Sequence, residues 1–219
     1  IGFLTYSEGC NDDVNKFVWS GLGWEPQADV SEILRQYCRF FMGPEHANDL
    51  TRGLLALEEN WRGPLAANSG VEVTLQMFQA IERNAAPTLL KNWRFQMALY
   101  RAYYDAYVRR RLLYESGLEV EALQRLGHAA QIGSLAALEL AEATLDRAVT
   151  APIAQGLRTR IFQLAEALFQ SIHMQLSVPL YAAQHETRGG NLDGVDFPLN
   201  DRPWLKAQFA AIRALEHEE

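Results

Sequence analysis

Thr88-Leu-Leu-Lys-Asn-Trp-Arg-Phe-Gln-Met-Ala-Leu-Tyr-Arg-Ala-Tyr-Tyr-Asp-Ala-Tyr-Val-Arg-Arg-Arg-Leu-Leu-Tyr-Glu115 is the longest uninterrupted helical pattern in the chain. At about 1.5 Å per residue it makes a rod on the order of 40 Å long, suited to be the pillar on which other helices pack. Its tyrosines, Tyr100, Tyr103, Tyr104 and Tyr107, read as core and rim residues. Downstream, Gly117 reads as a break before the Ala/Leu/Glu-rich stretch 118–149. Thr150-Ala151-Pro152 then reads as a cap and first-turn proline of another long helix ending near Leu176. Two long alanine-rich neighbours with short connections imply antiparallel bundle packing.

Upstream, Asp12 or Asp13 is placed to cap a short helix through Trp19, and residues 21–26 read as a turn anchored by Trp24. Asp29 or Ser31 opens a helix to about Met42 with Ile33, Leu34, Tyr37, Phe40 and Phe41 as its apolar stripe, stopped by Gly43-Pro44. The next helix reaches roughly Asn60 with Leu50, Leu54 and Leu57 inward. Residues 71–85 follow as a helix with Val71, Leu75, Phe78 and Ile81 at core spacing. Pro179 interrupts the end of the chain, 187–203 is a long loop of turn residues, and a last helix starts at Pro203 behind Asp201. The expected class is all-α: about seven helices in a bundle-like domain, with a short strand-like segment at the N-terminus.

That segment, Ile1-Gly-Phe-Leu-Thr-Tyr-Ser-Glu-Gly-Cys-Asn11, reads as a strand running into a loop of acids and amides, and no other stretch reads as its partner. Together with a first residue that is not Met, this leads us to expect the trailing part of a longer protein. In that division, 1–11 ends a missing domain and 12–219 forms the helical one. Glu8, Asn11, Asp12 and Asp13 follow the strand at the position where ligand-contacting groups lie in open sheets and barrels. Carboxylates and amides suit sugar hydroxyls, and Tyr6, Trp19 or Trp24 suits the apolar face of a sugar ring. The alternative is local: Asp12 or Asp13 caps a helix and Glu8 binds backbone amides.

With 219 residues, 48% of them hydrophobic, and a formal charge of -7, the chain has ample material for a core. It has no basic face with which to meet nucleic acid or an anionic membrane, so neither is expected as a partner. Arg109-Arg110-Arg111 reads as a solvated face or a set of ion pairs. Cys10 and Cys38 form neither a metal-ligand spacing nor a disulfide framework, although a fold that joined them could pair them. No apolar run approaches the roughly 20 residues of a membrane span. The five histidines form no Glu-x-x-His pair, Gly189-Gly190 lacks a nucleotide-loop context, and no nucleophile elbow is present. No metal, cofactor or catalytic residue is therefore assigned.

Two further constellations stand out. Arg94, Arg101, Tyr104 and Asp105 recur at helical intervals on the pillar, either as an ion-pair ladder or as a surface that binds a carboxylate or sugar. The loop 187–203 combines glycines with Arg188, Asn191, Asp193, Asp196 and Arg202. It reads as a functional loop or as a strap that satisfies its own backbone.

The run 4–16, followed by Leu22-Gly-Trp-Glu-Pro-Gln-Ala-Asp29 and the helix to Phe41 with its Tyr-Cys-Arg-Phe-Phe end, resembles the close of a catalytic (β/α)₈ barrel and its passage into a helical C-terminal domain. The resemblance is to α-glucuronidase-like and β-hexosaminidase-like glycoside hydrolases and their relatives, and it covers about the first forty-five residues. It implies a carbohydrate or glycoside ligand shared with a missing N-terminal barrel that carries the proton donor and its partner carboxylate. Glycoside hydrolysis needs two carboxyl groups on either side of the scissile bond. Glu8, Asp12 and Asp13 sit too close together in the chain to straddle a ring, so the resemblance assigns them sugar contacts or support. The chain alone is expected not to hydrolyse glycosides. A stand-alone helical interaction module is the alternative expectation.

Overall fold

The computed structural model describes residues 4, 12–186 and 188–215. The strand-like reading of 1–11 and the contacts expected of Tyr6, Glu8 and Asn11 lie outside these residues. Among the described residues the chain is all-α, with eleven helices and no strand. The nearest approach to a sheet is an isolated bridge of His185 with Arg188 and Gly189. The helices number more than the roughly seven expected, chiefly because three of them are single turns where longer helices break, which leaves eight longer ones.

The chain groups into two compact units. Unit 1 comprises Ile1–Ala102 with Glu166–Ile172, and unit 2 comprises Tyr103–Ala165 with His173–Glu219.

In unit 1, α1 (Asp13–Trp24) packs on α2 (Val30–Met42), α2 on α3 (Ala47–Glu59), and α3 on α4 (Gly70–Asn84). Helix α1 passes through Gly21 and Gly23, where the sequence reading placed a turn. Gly21 earns its place by contact, since a Cβ there would lie 2.9 Å from Ile33 Cδ1 of α2. Trp24 is the last residue of α1 and 92% exposed, so it anchors nothing within the described chain. The α2 N-terminus is as expected: the Asp29 carboxylate accepts the Ser31 N–H at 2.9 Å. Gly43 ends α2 at φ +97°, a conformation open to glycine at little cost. We expect Asp29→Ala to destabilise unit 1 by about 1 kcal/mol in urea denaturation, the usual worth of an N-cap.

Ile33, Leu34, Tyr37, Leu50, Val71, Leu75, Phe78 and Ile81 are buried, as their spacing predicts. Phe40 is 80% exposed instead, and Cys38 takes the inward position on α2 as a free thiol. Burial raises the Cys38 pKa, against a smaller opposing effect of the Thr51 hydroxyl. Phe78 packs over Gly53, where a Cβ would stand 2.9 Å from the ring, so this glycine sets how closely α3 and α4 approach.

The single turn α5 (Pro87–Leu90) precedes α6 (Trp93–Leu126). The pillar therefore starts later than the pattern predicts, because Asn92 intervenes. Its side-chain oxygen accepts the N–H groups of Arg94 at 3.0 Å and Phe95 at 3.4 Å, and its amide donates to the Phe41 carbonyl at 2.6 Å. Helix α6 also runs through Gly117 for 34 residues, about 50 Å. A helical glycine costs only about 1 kcal/mol, and the buried Glu115, Leu118 and Ala122 around it hold the helix together.

In unit 2, α7 (Ala129–Ile132) packs on α8 (Ser134–Thr150), and α11 (Arg202–Arg213) also packs on α8. Leu138, Ala141 and Leu145 meet Leu205, Phe209 and Ala122 in one apolar cluster. Beside it Asp146 receives Arg202 at 2.7 Å and Lys206 at 2.9 Å, and Glu142 receives Lys206 at 3.2 Å and Arg213 at 2.6 Å. Helix α9 (Gln155–Ile172) starts three residues after Pro152 and stops before the expected Leu176, bounded by Ala154 and His173, both at positive φ. The turn α10 (Val178–Tyr181) is capped by the Ser177 hydroxyl.

Candidate functional site

Two polar clusters stand out, one in each unit. In unit 1 the acidic run at the chain start and the first arginine of the pillar, separate candidates in the sequence, come together. Asp13 Oδ2 accepts Arg94 Nε at 2.7 Å and the Tyr37 hydroxyl at 2.7 Å, and Oδ1 accepts Arg94 Nη2 at 3.1 Å. The two-pronged geometry is the one a planar guanidinium prefers for a carboxylate. The Arg94 guanidinium lies 3.9 Å over the Phe41 ring and 4.1 Å over the Trp93 ring. Phe17, Tyr37 and Phe41 pack edge-on or tilted around it, with ring centroids 5.0 to 5.9 Å apart.

Burial pushes the Asp13 carboxyl upward, but the hydrogen bonds from Arg94 and Tyr37 and the charges of Arg94 and Lys16 outweigh it and hold its pKa below 3.8. The Tyr37 hydroxyl is pushed well above its usual value by burial and by donation to Asp13, so it stays a donor. Asp13 thus fastens the start of α1 to unit 1. Asp12 precedes the helix, half-exposed, and its side chain makes no capping bond. The sequence expected one of these acids to cap; Asp13 is drawn into the Arg94 pair instead.

Of the other pillar residues, the Arg101 guanidinium lies 3.8 Å over the Trp61 ring, and Asp105 is buried.

In unit 2 one stripe of α6 holds the loop 188–201. The Tyr104 hydroxyl donates to the Asn191 carbonyl at 3.2 Å, and the Tyr107 hydroxyl to Asp196 Oδ1 at 2.7 Å. Arg111 donates to the carbonyls of Val195 at 2.6 Å and Phe197 at 2.9 Å, and pairs with Glu115 at 2.6 Å. Glu115 accepts the Leu199 N–H, and Glu119 accepts the Asp201 N–H, each at 2.8 Å. Residues 104, 107, 111, 115 and 119 are spaced by three or four, one line along a helix. The loop is a strap tied to the pillar and also closed on itself: the N–H groups of Asn191, Asp193, Val195 and Phe197 donate to the carbonyls of Gly189, Gly190, Leu192 and Gly194, and Asn200 Oδ1 accepts the Arg202 N–H. At its start Asp193 accepts the Ser177 hydroxyl at 2.6 Å and the Val178 N–H at 2.7 Å, which fixes the N-terminus of α10.

Asp196 also receives Arg158 of α9, Nε at 2.8 Å. Burial raises its pKa, and Arg158, Tyr107 and the charge of Arg111 lower it further, for a net value below 3.8. Burial and Asp196 raise the Tyr107 hydroxyl to about 12.

Comparison of the chain with models of protein families, with curated proteins and with solved structures returns no match. Among the described residues no group of three or more His, Cys, Asp or Glu is arranged to hold a metal ion. No helix among them is long and apolar enough to cross a membrane.

Sequence reading missed the strap stripe of α6. Its signal is Tyr104-x₂-Tyr107-x₃-Arg111-x₃-Glu115-x₃-Glu119, five polar-tipped side chains on one helical line. The sequence also contains a long loop whose backbone groups need partners.

Proposed function

We propose that the chain is the non-catalytic helical part of a glycoside hydrolase-like carbohydrate-active protein, in which Asp13 of unit 1 supports a sugar site. The observation that carries this reading is the Asp13 clamp. The last acid of the run is fixed by a two-pronged arginine and a tyrosine, so α1 starts from a set point. A sugar-contacting loop needs such support, because a polar group that moves by about 1 Å loses its hydrogen bond. The resemblance of residues 4–41 to the barrel end of such enzymes supplies the reaction class, with the acid/base pair on a barrel outside this chain. Glu8, Asn11 and Asp12 are the sugar contacts of this reading, and Asp13 is their support.

The purified 219-residue chain is expected to show no turnover of a panel of aryl glycosides. Turnover that disappears on Glu8→Gln or Asp12→Asn substitution would overturn the proposal.

A second reading, a helical module that binds a protein partner, draws on the exposed Trp24 and Phe40 of unit 1. It predicts that Trp24→Ser and Phe40→Ser together abolish capture of that partner and leave unit 1 folded.

A further inference from the structure

Unit 2 contains a cleft of 310 Å³ that plays no part in the reading above. Tyr107 and Arg111 of α6 line it, with Asp196 and Pro198 of the strap, Val149 near the end of α8, Pro152, and Gln155 and Arg158 of α9. Its volume lies at the lower end of the roughly 300–1,000 Å³ usual for ligand sites, enough for one small ring.

The charges around it decide what kind of ligand fits. Three guanidiniums line the cleft, and each has its own carboxylate: Arg111 with Glu115, Arg158 with Asp196, and Arg202 with Asp146. An anion would have to displace a carboxylate, and a cation would have to displace a guanidinium. Breaking the enclosed Arg111–Glu115 pair is costly, whereas the Arg158–Asp196 pair is open to water and can share its hydrogen-bonding edges with a ligand. A hydroxyl needs no such exchange, since it donates and accepts at once and can bridge the edges of an existing pair. Arg158 and Asp196 keep 37% and 44% of their side-chain surface exposed, so this pair is the accessible one. The Tyr107 hydroxyl and Arg158 fix the Asp196 carboxylate in orientation before any ligand arrives. Val149, Pro152 and Pro198 add apolar surface to the lining.

We propose that this cleft binds a single uncharged, multiply hydroxylated ring, a pyranoside or a cyclitol, through Arg158, Asp196 and Gln155. It rests on the geometry of unit 2 alone and is independent of the sugar site assigned to residues 6–13.

Saturation-transfer NMR on the 219-residue chain tests it, with methyl β-glucopyranoside, methyl α-galactopyranoside and myo-inositol as probes and glucuronate as the charged comparison. At least one neutral ring is expected to receive saturation, more strongly than glucuronate. Arg158→Ala is expected to weaken that binding by about tenfold or more, as loss of a charge-assisted hydrogen bond does. Because Arg158→Ala also breaks an ion pair, Val149→Lys serves as the second variant. It fills the cleft from an exposed position and is expected to abolish binding at unchanged helix content. Saturation of no neutral ring, stronger saturation of glucuronate, or equal signals in wild type and Val149→Lys would overturn the proposal. A signal that survives Val149→Lys would place the bound ring outside this cleft, and the glycoside hydrolase-like reading is tested separately by turnover and by the intact mass of the native polypeptide.

Discussion

Arg111→Ala is expected to destabilise unit 2 by about 3–5 kcal/mol, the usual cost of removing one partner from a buried ion pair. The Arg111 and Glu115 side chains are only 11% and 3% exposed, so Glu115 would be left enclosed without its cationic partner. The same substitution orphans the Val195 and Phe197 carbonyls, because the guanidinium is their bridge to α6. The strap should then come off the pillar, with limited proteolysis cutting within 188–201 and hydrogen exchange rising there first. Arg111→Lys should recover part of the loss, since it restores the charge but lacks the fork that reaches Glu115 and the carbonyls together. Tyr107→Phe, which removes one hydrogen bond to Asp196, should cost about 1 kcal/mol. Stability of Arg111→Ala within about 1 kcal/mol of wild type would mean that the stripe does not hold the strap.

Arg94→Ala is the second large effect, about 2–3 kcal/mol in unit 1, because charge-assisted hydrogen bonds are lost on both Asp13 oxygens. It carries a pH signature. The folded Asp13 carboxyl titrates below 3.8, and an unfolded aspartate titrates near ~3.9. Its stabilising contribution is therefore fully present above the unfolded value and is lost as pH falls through the lower folded value. Wild-type α1 should loosen below about pH 4, and Arg94→Ala should be loosened already at neutral pH with a reduced acid step. Hydrogen exchange on α1 distinguishes this from acid loosening of unit 2, where Asp146 and Asp196 are depressed in the same sense. An acid step of equal size in wild type and variant would contradict the clamp.

The helical class was legible because apolar spacing survives most local irregularities. Val71, Leu75, Phe78 and Ile81 are all inward, as a period near 3.6 requires. Boundaries were less legible where a side chain has two possible uses. Asn92 interrupts a run of helix formers because its amide caps α6 and reaches Phe41, and Asp13 serves Arg94 from 81 positions away. Gly21 and Gly117 read as breaks from propensity alone. At Gly21 a neighbouring helix needs the space, and at Gly117 flanking buried residues outweigh a small cost. Phe40 sits at a core period and yet faces out, because Cys38 takes the inward position beside Ile33, Leu34 and Tyr37, with Phe41 half-buried. In the candidate sites, single charged residues were visible and their pairing was not. Pairing of Asp13 with Arg94, or of Arg111 with the strap, depends on tertiary closure that no local pattern encodes.

The measurement that bears most directly on the proposed function is the intact mass, in the native source, of the polypeptide that contains these residues, set against 24.7 kDa for the present chain. The account predicts a substantially larger mass, with peptides upstream of Ile1 that read as barrel strands and contain the missing carboxyl pair. A mass of 24.7 kDa would contradict it and leave the helical interaction module as the reading of this chain.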